Sequence, residues 1–66
     1  MAKIFGDWKI EVNEIIHPAY GKGFRAVAYI PKNNGIKANI REFGLYCGQC
    51  KSKTDMFNYT IKFLEK

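Results

Sequence analysis

Apolar and polar residues alternate along three short segments that precede the last quarter of the chain. In the first segment Trp8, Ile10 and Val12 are separated by single polar residues. A period of two is typical of a half-buried β-strand. The same alternation predicts a second strand over residues 24–30 and a third over residues 36–43.

The second and third segments are joined by Pro-Lys-Asn-Asn-Gly, which favours a tight turn. A three-residue loop ending at Gly35 would place Ile30 opposite Ala38. The same register would place Ala28 opposite Ile40 and keep apolar residues on one face of the sheet. We therefore predict this register, with Gly35 in the left-handed conformation.

A helix is predicted after a loop over residues 44–51. Ser52 and Asp55 have the spacing of a capping box, with Ser52 as the N-cap. Apolar residues then recur at helical spacing and form one stripe. The stripe consists of Met56, Phe57, Thr60, Ile61 and Leu64.

These elements predict one α+β domain over residues 1–66. It would be a three-stranded antiparallel sheet in β-β-β-α order, with one C-terminal helix packed on one face. Small residues at Ala26, Ala28 and Ala38 would let the helix approach closely. The other face of the sheet would have no cover and would meet water or a partner.

The composition is compatible with a folded core, since 47% of the 66 residues are hydrophobic. No apolar run approaches the ~18 residues of a membrane span. The first residues also lack the apolar stretch of a signal peptide. We therefore expect a cytoplasmic protein without a membrane partner.

Charge is distributed unevenly along the chain, whose formal net charge is +5. No acidic residue lies between Glu14 and Glu42, whereas that interval contains several lysines and arginines. Such asymmetry predicts an anionic partner, either nucleic acid or an acidic protein surface. The alternative is an ordinary solvated surface that keeps the protein soluble.

Two regions could bind such a partner. Cations on the uncovered sheet face would neutralise phosphates, and Tyr29 would stack on a base. Lysines at the start of the helix would add an anion site beside the free helix N–H groups. The candidate nucleic-acid-binding residues are Lys9, Arg25, Tyr29, Lys37, Arg41, Lys51 and Lys53.

The lysines at the helix start also carry a resemblance. With Lys51, Ser52 and Lys53 at that position, residues 24–64 resemble the second half of a double-stranded-RNA-binding domain. The chain differs from that family in having no first helix. The order of elements is also similar to small antitoxin domains of the HicB type. Both are resemblances in the order of elements, and such a resemblance implies little about function.

Cys47 and Cys50 form a Cys-x-x-Cys motif. A structural zinc site needs four ligands, so this pair would need a second chain or His17 to complete one. The alternatives are a redox-active dithiol and a pair of inert reduced thiols. We predict no cofactor, with these cysteines as the weakest candidates for a metal.

Catalysis is not expected. His17 precedes Pro18 and is interpreted as a turn residue, and no nucleophile or carboxylate is placed by the sequence to serve it. The leading hypothesis is a non-enzymatic nucleic-acid-binding module. The first alternative is a small protein-binding modulator, an inhibitor or antitoxin-like subunit acting through a sheet edge or as a homodimer. The second alternative is a zinc or thiol module at Cys47 and Cys50.

Overall fold

A computed structural model describes residues 2–46 and 48–65 as an antiparallel sheet with a C-terminal helix on one face. The predicted α+β class is therefore confirmed, but the sheet has four strands in the order β1-β2-β3-β4 and not three. The elements are β1 (Ala2–Phe5), β2 (Trp8–His17), β3 (Gly21–Pro31), β4 (Lys37–Tyr46) and α1 (Lys53–Leu64).

The additional strand is β1, which forms a hairpin with β2. Phe5 pairs with Trp8 across the Gly6-Asp7 turn, and Gly6 adopts a φ of 59°. Glycine adopts positive φ at less cost than other residues, so it favours this turn. The segment was missed because four residues are too few to establish an alternating pattern.

The β2–β3 hairpin is longer than predicted. β2 continues beyond Val12 to His17, which pairs with Gly21, so β3 also begins before the predicted residue 24. Gly21 has a φ of 79° and allows the chain to reverse there. Ile16, which lies on the α1 side near the end of β2, is 77% exposed, so α1 does not cover this end of the hairpin.

The β3–β4 turn forms as predicted. The Lys32 N–H donates to the Ile36 carbonyl at 2.9 Å, and Gly35 has a φ of 74°. Ile30 pairs with Ala38, as the three-residue loop requires.

The register changes two residues further along. Ala28 pairs with Arg41 and not with Ile40, because a β-bulge interrupts the β3–β4 ladder. Asn39 occupies the left-handed region at this point, with a φ of 54°. The predicted pairing of Ala28 with Ile40 is therefore wrong.

The bulge has a clear cause in the core. Phe43 and Leu45 pack against the buried cluster under α1, which requires the odd-numbered positions of β4 to face the helix. Upstream of the bulge the even-numbered Ala38 faces that way, so one extra residue must be inserted between them. The alternating pattern also places Ile36 and Ile40 on the apolar face with Ala38, but these residues are 60% and 58% exposed, so their expected burial is wrong.

The helix begins at the predicted N-cap, Ser52, although Asp55 binds the N–H of the preceding residue and not that of Ser52. Ser52 Oγ accepts a hydrogen bond from the Asp55 N–H at 3.1 Å, and Asp55 Oδ2 accepts one from the Lys51 N–H at 3.3 Å. Met56 and Thr60 are fully buried against the sheet, and the Thr60 hydroxyl donates to the Met56 carbonyl at 2.9 Å. In the described part of the chain no helix has the length and apolar character needed to cross a membrane.

Candidate nucleic-acid interface

The sheet face opposite α1 is named the open face here. Directly paired residues in an antiparallel sheet share a face, so the register assigns each side chain to one side. Ile10, Val12, Ala26 and Ala28 are fully buried on the α1 side. The open face therefore carries the alternate positions, including Lys9, Glu11, Asn13, His17, Gly23, Arg25, Val27, Tyr29, Lys37, Glu42, Gly44 and Tyr46.

Arg25 lies near the middle of this face. Its cross-strand partners are Asn13 on β2 and Gly44 on β4, so no carboxylate stands directly opposite its guanidinium. Arg25 is exposed, and no ion pair joins it to any residue in the described ranges. The central cation of the open face is therefore accessible to an anionic ligand.

Arg41 does not lie on the same face of the sheet as Arg25. It pairs with Ala28, which faces α1, whereas Arg25 lies three positions earlier on β3 and faces the other way. The bulge at Asn39 causes the difference, because it reverses which positions of β4 point to each side. The predicted placement of Arg41 on the uncovered face is wrong.

Tyr29 is on the open face but does not present its ring to solvent. Only 4% of the residue is exposed, and Lys37 Nζ lies 4.7 Å from the ring centroid. The phenol donates a hydrogen bond of 2.6 Å to Glu11 Oε2. Both the ring and the hydroxyl of Tyr29 are therefore engaged, and the expectation of an exposed stacking surface at this position is wrong.

This hydrogen bond also shifts two titrations. It lowers the pKa of Glu11 below its ordinary value, because the phenol stabilises the ionised carboxylate. The same hydrogen bond raises the pKa of Tyr29, since ionisation would place two negative charges side by side. Glu11 is therefore a charged partner of Tyr29 at neutral pH.

The open face is less basic than the sequence suggests. Besides Glu11, it carries Glu42, which pairs with Val27 because of the register after the bulge. Lys37 is positioned over the ring of Tyr29, where a cation–π interaction restrains it. Lys9 and Arg25 are the cations best placed to contact phosphates.

Tyr46 lies flat across the open face near the end of β4. A Cβ atom placed on Gly23 would be 2.5 Å from Tyr46 Cδ1, and one placed on Gly44 would be 3.2 Å from Tyr46 Oη. The ring therefore spans the backbone of both glycines. Glycine inside a strand commonly marks such a close approach, and this was the signal available in the sequence.

His17 and Tyr20 complete an aromatic cluster with Tyr46. The His17 centroid is 4.6 Å from that of Tyr20 and 5.3 Å from that of Tyr46. His17 Nδ1 accepts hydrogen bonds from the N–H groups of Ala19 at 3.0 Å and Tyr20 at 3.3 Å. His17 therefore does stabilise a turn, and it also places three aromatic rings side by side, which the sequence analysis missed.

The lysines at the helix start lie apart from this cluster. Lys53 begins α1, which packs on the opposite side of the sheet from Arg25. The carboxylate of Asp55 and the hydroxyl of Ser52 already bind N–H groups at the helix start. A second anion would meet the negative charge of Asp55 there, so the structure does not bring Lys51 and Lys53 into one site with the open face.

Cys50 is buried, and its Sγ donates to the Ser52 carbonyl at 3.1 Å. This contact gives Cys50 a structural role beside the helix N-cap. Cys47 lies outside the described residues. Within residues 2–46 and 48–65, no group of three histidine, cysteine or acidic residues is arranged to hold a metal ion.

The open face brings a cation and a group of aromatic rings onto one side of the sheet. Arg25 supplies an accessible charge, and the cluster of His17, Tyr20 and Tyr46 supplies aromatic surface at one end of the same face. Surfaces that bind nucleic acids commonly contain both cations and aromatic rings. Comparisons with protein families, curated proteins and solved structures found no match to the chain.

Proposed function

We propose that the protein is a cytoplasmic, non-enzymatic module that binds nucleic acid through the open face. The observation that supports this most directly is the position of Arg25. It is exposed at the middle of a sheet face that α1 leaves uncovered, without an ion-pair partner among the described residues. An unpaired guanidinium is well suited to a phosphate, which it can bind through two hydrogen bonds.

Lys9 would provide a second phosphate contact. It pairs with Tyr29, four positions along β3 from Arg25. At about 3.3 Å per residue the two backbone positions are roughly 13 Å apart, so the two side chains can reach different phosphates of one strand. Each contact releases counterions, and affinity should therefore fall as salt concentration rises.

The test compares two arginines on opposite sides of the sheet. The affinity of the protein for a fluorescently labelled oligonucleotide is measured by anisotropy between about 50 and 200 mM salt. We expect Arg25→Ala to weaken binding and reduce the salt slope by about one. Arg41→Ala removes the same charge from the α1 side and should leave the slope unchanged.

Two results would contradict the proposal. One is the absence of oligonucleotide binding at the lowest salt concentration. The other is an equal loss of affinity in the Arg25 and Arg41 variants, since this would show that only the total charge of the protein matters. Circular dichroism of both variants establishes that the fold is retained.

A protein-binding function is the second candidate, and the β4 edge favours it. Among the described strands β4 is at the edge of the sheet, so its outer backbone groups pair with none of them. Ile40 lies in β4 and Ile36 directly precedes this strand, and both residues are mostly exposed. We propose in this case an inhibitor or antitoxin-like subunit, or a homodimer, formed by edge pairing. Light scattering would detect the dimer, and Ile40→Glu should dissociate it.

A further inference from the structure

We propose that the nucleic acid bound by the open face is single-stranded and that one of its bases stacks on Tyr46. This inference rests on the proposed function and assigns to it a ligand class and a base-binding position. Its basis is the cluster formed by Tyr46, His17 and Tyr20 at the end of the face that carries Arg25.

The orientation of Tyr46 makes it a platform. The positions where Gly23 and Gly44 would carry Cβ atoms lie 2.5 Å and 3.2 Å from atoms of the Tyr46 side chain. The ring thus rests on the backbone of β3 and β4, with one π-face toward the sheet and the other away from it. A ring in this orientation can accept a base by stacking, which any base can do because each has a π-face.

The rings of His17 and Tyr20 both contact the Tyr46 ring. The His17 ring meets Tyr46 edge-on, with an interplanar angle of 66°. The Tyr20 ring is 5.6 Å from Tyr46 between centroids and is 58% exposed. Because His17 Nδ1 accepts two backbone hydrogen bonds, the neutral ring carries its proton on Nε2. The cluster therefore combines aromatic surface with an N–H donor.

Arg25 lies close enough to Tyr46 to bind a phosphate of the nucleic-acid strand whose base stacks on that ring. It pairs with Gly44, and Gly44 precedes Tyr46 by two residues on β4. Diagonal neighbours of this kind are roughly 7–8 Å apart. A base on Tyr46 and a phosphate on Arg25 are thus within reach of one or two adjacent nucleotides.

This arrangement favours a single strand over a duplex. Bases in a duplex are stacked on one another, so reaching the Tyr46 ring would require unpairing and unstacking at a cost of a few kcal/mol. A single strand already exposes the π-faces of its bases.

The experiment uses three versions of one labelled oligonucleotide: the single strand, its duplex, and the single strand with abasic sites. Tyr46→Leu removes the ring, and Tyr46→Phe keeps it as the matched control. We expect Tyr46→Leu to weaken single-strand binding by roughly 5- to 150-fold. Tyr46→Phe should bind within about twofold of the original protein, and the abasic strand should lose a comparable part of the affinity.

The outcomes separate the two proposals. If single strand, duplex and abasic strand bind equally and the Arg25 effect persists, base stacking is excluded and nucleic-acid binding stands. If no oligonucleotide binds, both proposals fail. Should Tyr46→Leu prove unfolded, the abasic strand still decides the question with the unaltered protein: undiminished affinity for it would exclude base stacking.

Discussion

The phenol of Tyr29 on β3 hydrogen-bonds the carboxylate of Glu11 on β2, with an oxygen–oxygen distance of 2.6 Å. The two residues are diagonal neighbours, since Tyr29 pairs with Lys9 and Glu11 pairs with Val27. Lys37 reaches over the ring from β4, so three strands meet at this one side chain. The side chains in this half of the open face therefore bind one another. The aromatic cluster around Tyr46 is the part of the face that we propose binds a ligand.

The first prediction concerns the pH dependence of stability. Because Tyr29 lowers the pKa of Glu11 in the folded state, Glu11 stabilises the fold above its ordinary value of 4.5. This contribution is lost as the pH falls through the lower, folded-state value. Tyr29→Phe removes the hydroxyl and should return the pKa of Glu11 toward 4.5, which NMR titration of its carboxyl carbon would measure.

At alkaline pH the stability depends on Tyr29, and the dependence has the opposite sign. The pKa of Tyr29 is raised above 10.0, so this group stabilises the fold below that pH and loses its contribution as the pH rises through the folded-state value. In Tyr29→Phe the alkaline dependence of this group should disappear from denaturant unfolding. The acid dependence due to Glu11 should weaken, since Lys37 and Lys9 still favour its carboxylate. Tyr59→Phe, on the α1 side, is the control. Equal acid sensitivity of the original protein and Tyr29→Phe would show that the hydrogen bond does not couple to folding.

The second prediction concerns the bulge. Asn39 has a φ of 54°, which glycine adopts freely, asparagine tolerates and β-branched residues avoid. Asn39→Gly should therefore leave stability unchanged or raise it slightly. Asn39→Val should lower the free energy of unfolding by about 1–2 kcal/mol. Asn13→Val, at an exposed strand position, is the control and should be tolerated. Equal stability of the two valine variants in urea would contradict the assigned backbone conformation.

The third prediction concerns the glycines under Tyr46. A Cβ on Gly23 would lie 2.6 Å from the Leu45 carbonyl oxygen, a backbone atom that cannot move aside cheaply. Gly23→Ala should therefore cost about 1–3 kcal/mol of stability. A Cβ on Gly44 would meet only the Tyr46 side chain, at 3.2 Å or more, so Gly44→Ala should cost less.

A double mutant tests the cause of the smaller effect. If the cost of Gly44→Ala arises from the Tyr46 ring, it should vanish when Tyr46→Leu is already present. Additive effects of the two substitutions in urea unfolding would mean that the ring does not rest on Gly44.

The parts of the fold that depend on neighbouring residues could be predicted from the sequence. The turn closed by Lys32 and Ile36 and the cap formed by Ser52 and Asp55 each involve only a few consecutive residues with specific backbone preferences. The bulge is different, because it results from packing against a distant helix. Its sequence signal is the change of apolar parity between Ile40 and Phe43.

The candidate site also contains residues that the local sequence pattern predicts and residues that it does not. Arg25 lies on a regular part of β3, so alternation alone placed it on the open face. The aromatic cluster brings together His17, Tyr20 and Tyr46 from a hairpin turn and a distant strand. No local pattern contains that juxtaposition. Tyr29 was placed on the right face, but its burial depends on Lys37, whose position was set by the tertiary structure.

The fourth prediction asks whether the helix start belongs to the binding surface. Lys53 and Lys9 are each a single lysine charge, but Lys53 begins α1 on the far side of the sheet and lies near the Asp55 carboxylate at the helix start. We therefore expect Lys9→Ala to reduce the salt slope of oligonucleotide binding by about one, and Lys53→Ala to leave it unchanged. Both substitutions lower the net charge equally, so any difference reports location. Equal reductions would show that the bound nucleic acid continues around the sheet to the start of α1. The interface would then extend beyond the open face.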